Sequence, residues 1–315
     1  MNRIRLPEEA SRSDRAQQIY DRYLTRASRD DEYNDWAEYR AALTDFITGS
    51  TPAGGSLLIL GAGKCSDLDL RKLAAHFGPI TLSDYRPELA DEAWHCYGLS
   101  PSERLAFAGS DYVGIPEEAY VEYTRLLLDV MQRLKDGAGE SLEEAAGPQL
   151  RTLLEGLEQI YRDNGTYEVH LGEKAYDHAV VCGVHSQLNN SFRGLFQYAR
   201  KDAEDRWGSI PFAEELNAAI FAVSREHTEH LVRRFNEAVF AAVRQGVIYG
   251  YERSILYTPE GEHSPVIGTV DGARQAGELI ADIPAEHELN CLWPLSRRRG
   301  IRFEMSVCYL PVAER

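Results

Sequence analysis

The sequence predicts an α/β fold built around a mostly parallel sheet. From residue 56 onward, short apolar segments alternate with longer segments that have helical spacing. The first of the apolar segments, Ser56-Leu57-Leu58-Ile59-Leu60, has glycine on both sides, as is typical of a buried parallel strand. Glycine or aspartate follows three successive strands, and ligands bind open α/β sheets at such strand ends. These observations favour a ligand-binding α/β domain.

Ahead of the sheet, residues 14–48 have the spacing of amphipathic helices, and residues 20–39 include five aromatic side chains. A polar break is expected at residues 29–32, and Gly54-Gly55 ends the segment. The aromatic residues are Tyr20, Tyr23, Tyr33, Trp36 and Tyr39. They are expected either to pack the helices on the sheet or to contact a ligand.

The first half of the α/β region predicts two further strands. Residues 80–82 form the second strand, which ends at Asp84, and residues 105–108 form the third, which ends near Asp111. Residues 67–77 and 87–97 are expected to form the intervening helices, the first of them with Asp67 as a possible cap. Residues 117–163 are helical with a weak break at residues 136–139, and this is more helix than a simple crossover needs. We expect a helical insertion there.

The second half predicts the remaining elements of the sheet. A fourth strand covers residues 176–182, a long amphipathic helix covers residues 212–245, and a fifth strand opens at residues 246–250. A polar turn around Pro259-Glu260-Gly261, a last helix at residues 270–282 and two strands at residues 288–294 and 301–310 complete the chain.

Composition excludes several functional classes. Lys and Arg number 34 against 50 Asp and Glu, a formal net charge of −16, so nucleic acid and anionic membranes are disfavoured partners. The five cysteines include no C-x-x-C pair, so neither a disulfide framework nor a metal site is expected. There is no apolar signal segment and no apolar run of roughly 18 residues. A cytoplasmic protein is therefore expected, while its oligomeric state is not predicted.

The segment Leu60-Gly61-Ala62-Gly63 carries the main chemical signal. A glycine turn between a strand and a helix lets a nucleotide approach the backbone, although an ordinary tight turn has the same pattern. Asp84 stands where a carboxylate would bind ribose hydroxyls, and Asp111 where one would bind an adenine amino group. Each aspartate alone could instead be a turn residue. Ser66 replaces the last glycine of a dinucleotide fingerprint, which disfavours a nicotinamide dehydrogenase.

At these residues the chain resembles the class I S-adenosylmethionine (SAM) dependent methyltransferases. The resemblance covers roughly residues 54–116 and 174–310, and includes Asp177 through Val184 and the closing strand pair. It implies a Rossmann-like seven-stranded sheet, mostly parallel with an antiparallel last strand. It also implies a helical lid over residues 1–53 ahead of a SAM-binding domain over residues 54–315. The cofactor-binding residues that it implies are Leu60, Gly61, Ala62, Gly63, Asp84, Tyr85, Asp111, Tyr112, Cys182, Gly183 and Val184.

Two positions depart from the family pattern. Ile59 stands where an acidic residue is common, and Cys65 stands where a third glycine is common. Both residues belong to the part of the motif that contacts the methionine end of SAM. That end is therefore expected to be held by Lys64 or by the N-terminal segment.

The acceptor side is expected to follow the fourth strand. His185 is the candidate general base, because its unperturbed pKa lies near neutrality, and the alternative is a structural histidine. Gln187, Asn189 and Asn190 could position an acceptor or cap the next helix, and Tyr20 is a candidate substrate or cofactor contact.

The predicted function is methyl transfer from SAM to an oxygen or nitrogen atom of a small molecule or peptide. The alternatives are an RNA methyltransferase and a non-catalytic SAM-binding protein. Two basic stretches bear on the RNA alternative, namely residues 297–299 and residues 193–206, although the first could also attract an acidic peptide.

Overall fold

A computed structural model of the chain describes residues 7–25, 32–137, 139, 141–257 and 269–312. The helices within these residues are α1 (Pro7–Leu24), α2 (Glu32–Asp35), α3 (Ala37–Ser50), α4 (Leu70–His76), α5 (Pro87–Tyr97), α6 (Glu117–Asp136), α7 (Leu142–Asp163), α8 (Ser191–Trp207), α9 (Ala213–Ala242) and α10 (Thr269–Ile280). The strands are β1 (Leu57–Leu60), β2 (Ile80–Asp84), β3 (Leu105–Gly109), β4 (Tyr176–Cys182), β5 (Val243–Tyr257), β6 (His287–Ser296) and β7 (Ile301–Pro311). Among the residues that the structure describes, no helix is both long enough and apolar enough to cross a membrane.

The strands form one seven-stranded sheet in the order β3-β2-β1-β4-β5-β7-β6. Strands β1 to β5 pair in parallel, whereas β7 is antiparallel to both of its neighbours, β5 and β6. Leu57 of β1 lies opposite Ile80 of β2 on one side and His178 of β4 on the other. The chain thus moves outward from β1 to β3 and then crosses back to β4. This topology confirms the predicted fold class.

Most predicted elements are found within a few residues of their expected bounds. One exception is the start of α4, for which Asp67 was expected as the cap. The cap is Asp69, whose carboxylate accepts hydrogen bonds from the backbone N–H groups of Arg71 and Lys72. Two additional turn residues therefore separate the glycine segment from α4. The predicted turn at residues 259–261 and most of the predicted break at residues 29–32 lie outside the described residues.

The chain divides into two compact units. The helical unit comprises residues 1–27, 114–167 and 189–228, so it contains α1, α6, α7, α8 and the first half of α9. The sheet unit comprises residues 28–113, 168–188 and 229–315, and it contains the whole sheet together with α2 to α5, the end of α9 and α10. The predicted lid over residues 1–53 stays a prediction.

The sheet unit buries one face of the sheet under α3, α4 and α5. Ile59, Leu82 and Val180 lie on this face and are at most 1% exposed. We call this the α3 face. It matches the apolar character of the three strands in the sequence, since strands of a parallel sheet are covered on both sides.

The helical unit has its own core and a buried ion-pair network. Asp202 of α8 is 4% exposed and accepts hydrogen bonds from the guanidinium groups of Arg15 and Arg22 of α1. Two charged partners offset the cost of burying this carboxylate. The network ties α1 to α8 within the unit.

Candidate cofactor site

The glycine segment after β1 follows a left-handed path. The φ angles of Gly61, Gly63 and Cys65 are 61°, 50° and 50°. A Cβ atom at Gly61 would lie 2.6 Å from Cγ2 of Val184, whereas a Cβ atom at Gly63 would have a single neighbour within 4 Å, the Gly61 carbonyl oxygen at 4.0 Å. The turn therefore needs glycine for its backbone at both positions and, at Gly61, also for its close approach to the segment after β4.

Cys65 shows what the departure from a third glycine does locally. Its backbone has the left-handed conformation that glycine would adopt freely, and its side chain is buried. Holding a non-glycine residue in this region costs about 1–2 kcal/mol. The Cys65 N–H donates to the Ala62 carbonyl oxygen at 2.7 Å, so the turn keeps its path without the glycine.

Asp84, at the end of β2, holds the glycine turn. Its Oδ2 atom accepts a hydrogen bond from the backbone N–H of Gly63 at 2.9 Å, and its Oδ1 atom accepts one from the N–H of Arg86 at 3.1 Å. A carboxylate has about four acceptor positions. These two bonds leave acceptor capacity on both oxygens, at the adjacent carboxyl ends of β1 and β2.

Tyr112 links the same two strand ends. Its hydroxyl accepts a hydrogen bond from the Gly61 N–H at 3.1 Å, and the Ser83 carbonyl oxygen lies 2.8 Å away as its acceptor. Its ring lies 5.1 Å from that of Phe235. Burial raises the pKa of the Tyr112 phenol, so the hydroxyl stays protonated and continues to donate.

The other predicted cofactor-binding residues near these strands differ in exposure. Asp111 accepts a hydrogen bond from the Val113 N–H at 2.8 Å, while Tyr85 is 55% exposed directly after Asp84. Leu60 and Ala62 are buried. Leu60 is the last residue of β1, and Ala62 donates its N–H to the Ser83 carbonyl oxygen at 3.1 Å. The structure thus brings the glycine turn, Asp84 and Tyr112 together, and their cofactor roles stay predictions.

The segment after β4 begins with Cys182, Gly183 and Val184. Cys182 is half-buried, Gly183 has a φ angle of 66°, and Val184 contacts Gly61 as described above. A Cβ atom at Gly183 would lie 2.9 Å from the indole of Trp293. The predicted neighbour of the cofactor is therefore packed tightly against both the glycine turn and β6.

His185 is fully buried in a polar network of the sheet unit. Its Nε2 atom lies 2.9 Å from Oδ1 of Asn236, and Asn236 also donates to the Tyr249 hydroxyl at 2.8 Å. Its Nδ1 atom has no hydrogen-bond partner among the described residues. Burial lowers the pKa of His185 to about 4. These features favour the structural alternative, and the general-base role stays a prediction.

Tyr20 and Asn189 lie in the helical unit. Tyr20 is 3% exposed and its ring stacks on that of Tyr120, with centroids 5.8 Å apart. Asn189 accepts a hydrogen bond from the Tyr161 hydroxyl and donates to the Ser224 carbonyl oxygen, both at 2.5 Å. Internal contacts of the unit account for both side chains, and the predicted ligand contacts stay predictions.

Lys64, a candidate for holding the methionine end of a cofactor, forms an ion pair with Glu92 at 2.7 Å. Ile59, at the position where an acid is common, is 1% exposed and packs in the α3 face. An acidic residue, Asp67, follows a little further along the chain. It is half-buried, and burial raises its pKa to about 6. Sequence reasoning treated Asp67 only as a helix cap.

Sequence reasoning also missed Glu252, whose side chain is 2% exposed. Its Oε1 atom accepts a hydrogen bond from the Ser186 hydroxyl at 2.6 Å, and its Oε2 atom has no partner among the described residues. The available signal was an acidic residue within the apolar and aromatic run of β5. The strand was expected to open at residues 246–250, whereas β5 runs from Val243 to Tyr257, and Glu252 was not singled out in the sequence.

Part of each basic stretch is paired with acids. Arg200 bonds Glu204 at 2.9 Å and Glu214 at 2.5 Å, and Arg297 forms an ion pair with Asp35 at 3.2 Å. Local neutralisation of this kind weakens attraction to a phosphate backbone. Within the described part of the chain, no group of three or more His, Cys, Asp or Glu residues could hold a metal ion.

No protein-family model matches the chain, and no curated protein matches it in sequence. Solved methyltransferase structures resemble it distantly. The N-methyltransferase NodS from Bradyrhizobium japonicum, in complex with S-adenosyl-L-homocysteine, aligns over 95% of this chain and 99% of its own, with 12% identity and a TM-score of 0.40. A SAM-dependent methyltransferase from Aquifex aeolicus aligns over 96% of this chain and 98% of its own, with 9% identity and a TM-score of 0.39.

A third structure, the magnesium protoporphyrin IX methyltransferase ChlM from Synechocystis with bound SAM, aligns over 97% of this chain and 99% of its own, with 11% identity and a TM-score of 0.34. These values are too low to assign an activity or a ligand. The strand order with its antiparallel β7 identifies the fold independently of them. The chain has the Rossmann-like, seven-stranded fold expected from its resemblance to the methyltransferases.

Proposed function

We propose that this chain is a SAM-dependent methyltransferase that transfers a methyl group to an oxygen or nitrogen atom of a small molecule or peptide. The observation that carries the proposal is the pairing of the Gly61–Gly63 turn with Asp84 at adjacent carboxyl ends of β1 and β2. Beside it, between β1 and β4, the strand order reverses. Open α/β sheets bind ligands at this kind of position.

The local chemistry fits the adenosine part of SAM. Both oxygens of Asp84 retain acceptor capacity for the two ribose hydroxyls. The space beyond Gly63 is open, because an added Cβ atom would meet no atom closer than 4.0 Å. Tyr85, exposed directly after Asp84, offers a ring surface for stacking. In this proposal Asp111 and Tyr112 border the adenine side.

SAM, when bound, supplies an electrophilic methyl carbon on a sulfonium, which carries most of the chemical difficulty. The chain contributes binding and orientation of the two reactants. His185 and Tyr20 are proposed as catalytic residues on the sequence argument alone. Retained turnover in His185→Gln or Tyr20→Phe would remove the respective residue from the mechanism.

Calorimetric titration with SAM tests the cofactor assignment. We expect Asp84→Asn and Asp84→Ala to bind SAM about tenfold to hundredfold more weakly than the wild type, the range for one or two hydrogen bonds to a charged group. Asp91→Ala is the matched control, since Asp91 is exposed on α5 and should bind SAM normally. A wild type that does not bind SAM, or an Asp84→Ala variant that binds it equally well, would overturn the proposal.

Incubation of the protein with cell extract and isotopically labelled SAM tests the transfer. A labelled small molecule or peptide that requires the protein would support the proposal. Label in RNA would indicate the alternative RNA methyltransferase. SAM binding without any labelled product would indicate the alternative non-catalytic SAM-binding protein.

A further inference from the structure

Glu252 is a buried carboxylate that the fold itself does not explain. One oxygen accepts a hydrogen bond from Ser186, and the other has no hydrogen-bond partner within the described residues, which also offer no basic partner for it. Burial raises the pKa of this carboxyl group. Buried polar atoms are almost always paired, because an unpaired one costs folding free energy. An unpaired carboxylate oxygen therefore suggests a ligand.

The register of the sheet places Glu252, which lies within β5, just beyond the carboxyl end of the neighbouring strand β4. Cys182, the last residue of β4, pairs with Gly250, so Glu252 lies two residues beyond that end. On the other side it pairs with Met305 of β7, which in turn pairs with Cys291 of β6. Glu252, Met305 and Cys291 form one row across the sheet. This row continues the α3 face at the edge of the sheet where α/β folds bind ligands.

Gly183 brings the carboxylate and an indole to one point. A Cβ atom on Gly183 would lie 3.8 Å from Oε1 of Glu252 and 2.9 Å from Cζ3 of Trp293. Because Gly183 has no side chain, its backbone, the Glu252 carboxylate and the Trp293 indole lie close together. Glycine is the residue that permits such an approach.

Two further aromatic rings, those of Trp36 and Tyr39, pack against Trp293 and form an aromatic cluster with it. Tyr39 stacks on Trp293 with centroids 5.8 Å apart, and Trp36 meets Trp293 edge-on at 5.2 Å. The indole nitrogens of Trp36 and Trp293 are buried and have no hydrogen-bond partner among the described residues. Buried tryptophan N–H groups usually find a partner. The cluster thus holds two unpaired donors and one unpaired acceptor.

Two carboxyl groups, those of Asp67 and Glu252, lie near Tyr39 in the cluster. Burial raises the pKa of the Tyr39 phenol, and the neighbouring Cys182, Asp67, Cys291 and Glu252 raise it further. Aromatic faces together with carboxylates attract a cation or an N–H donor. They repel carboxylates and phosphates. The chemistry therefore favours a basic nitrogen compound.

We propose that Glu252, Trp36, Tyr39 and Trp293 form the acceptor pocket, and that the methyl acceptor is an amine. This inference rests on the proposed function and specifies its acceptor. The nitrogen lone pair forms a bond to the sulfonium methyl carbon, and the carbon–sulfur bond breaks with its electron pair left on sulfur. The proton released from nitrogen passes to Oε2 of Glu252.

Binding of three probes to the protein saturated with S-adenosyl-L-homocysteine tests the pocket without turnover. Benzylamine, benzyl alcohol and benzoate have similar sizes and different charges, and quenching of tryptophan fluorescence reports their binding near Trp36 and Trp293. We expect benzylamine to bind about tenfold or more tightly than the other two, as expected for one hydrogen bond to a charged group.

Glu252→Gln should weaken benzylamine binding by about tenfold to hundredfold. Glu304→Gln is the matched control, because Glu304 lies on neighbouring β7 and bonds Ser254 instead of the cluster. It should leave benzylamine binding unchanged. If Glu252→Gln does not fold, the order of the three probes on the wild type decides the question.

Binding of benzoate or benzyl alcohol as tight as that of benzylamine, or no binding of any probe, would overturn the inference. Unchanged benzylamine binding by Glu252→Gln would also overturn it. These failures can be told apart from failure of the proposed function, because SAM binding is measured separately. With labelled SAM and extract, an N-methylated product supports the amine acceptor, and an ester or ether product overturns it.

Discussion

Replacement of Gly61 by alanine is the sharpest test of the glycine turn. The φ angle of Gly61 is 61°, and its added Cβ atom would lie 2.6 Å from Cγ2 of Val184. Carbon atoms prefer separations of about 3.5–4.0 Å, so the turn and the segment after β4 would have to separate by about 1 Å. Gly63→Ala is the matched control, because its φ angle is also positive but its Cβ atom would meet no atom closer than 4.0 Å.

The two variants differ in the contact with Val184. Alanine in the left-handed region costs about 1–2 kcal/mol, and the lower entropy of the unfolded chain offsets about 0.4–1 kcal/mol of this. Gly63→Ala should therefore lose about 1 kcal/mol of unfolding free energy. Gly61→Ala carries the same conformational cost plus about 1–3 kcal/mol for overpacking. We expect a total loss of about 2–4 kcal/mol.

Urea unfolding, followed by circular dichroism, measures these losses. A cycle with Val184→Ala isolates the steric part, because truncation of Val184 makes room for the new methyl group. The cost of Gly61→Ala should fall by about 1–2 kcal/mol in the Val184→Ala background. Equal losses for Gly61→Ala and Gly63→Ala, or an additive cycle, would refute the close approach of the glycine turn to Val184.

Three further predictions concern stability. Burial lowers the pKa of His185 from 6.5 to about 4, so the folded state favours its neutral form, and the stability this gives is lost as the pH falls from about 6.5 to 4. Between pH 7.5 and pH 5 the wild type should lose about 2 kcal/mol more unfolding free energy than His185→Gln, and equal losses in urea titrations would contradict this. Asp177 accepts hydrogen bonds from Ser56 at 2.8 Å and from Arg244 at 2.9 Å. Asp177→Ala should therefore lower the unfolding free energy by about 1.5–3 kcal/mol at pH 7. A loss smaller than that of an ordinary surface substitution would show that these bonds contribute nothing. Tyr112→Phe removes the hydroxyl between β1 and β2 and should cost about 1 kcal/mol, and an unchanged thermal midpoint would contradict that prediction.

Local sequence signals predicted most of the sheet. Apolar runs between glycine or polar residues marked β1 and β4, because strands covered on both faces must be apolar throughout. The positions of Gly61 and Gly63 were equally readable, since a left-handed turn excludes most other residues. Asp84 followed from its place at the end of β2. All of these signals lie within a few residues of the feature that they predict.

Contacts between residues that are distant in the sequence determined the features that local signals did not predict. His185 looked like a base in the sequence, but it packs against Asn236 and Tyr249, 51 and 64 residues away in the chain, and its burial lowers its pKa. Glu252 gave only a weak signal, because its role depends on the β4–β5 register and on Trp293 of β6. The sequence by itself determined the order of elements and the glycine turn, since these depend on local backbone conformation and apolar patterning. Tertiary structure alone decided which polar groups are satisfied and which remain free, because burial and hydrogen bonding join residues that are far apart in the chain.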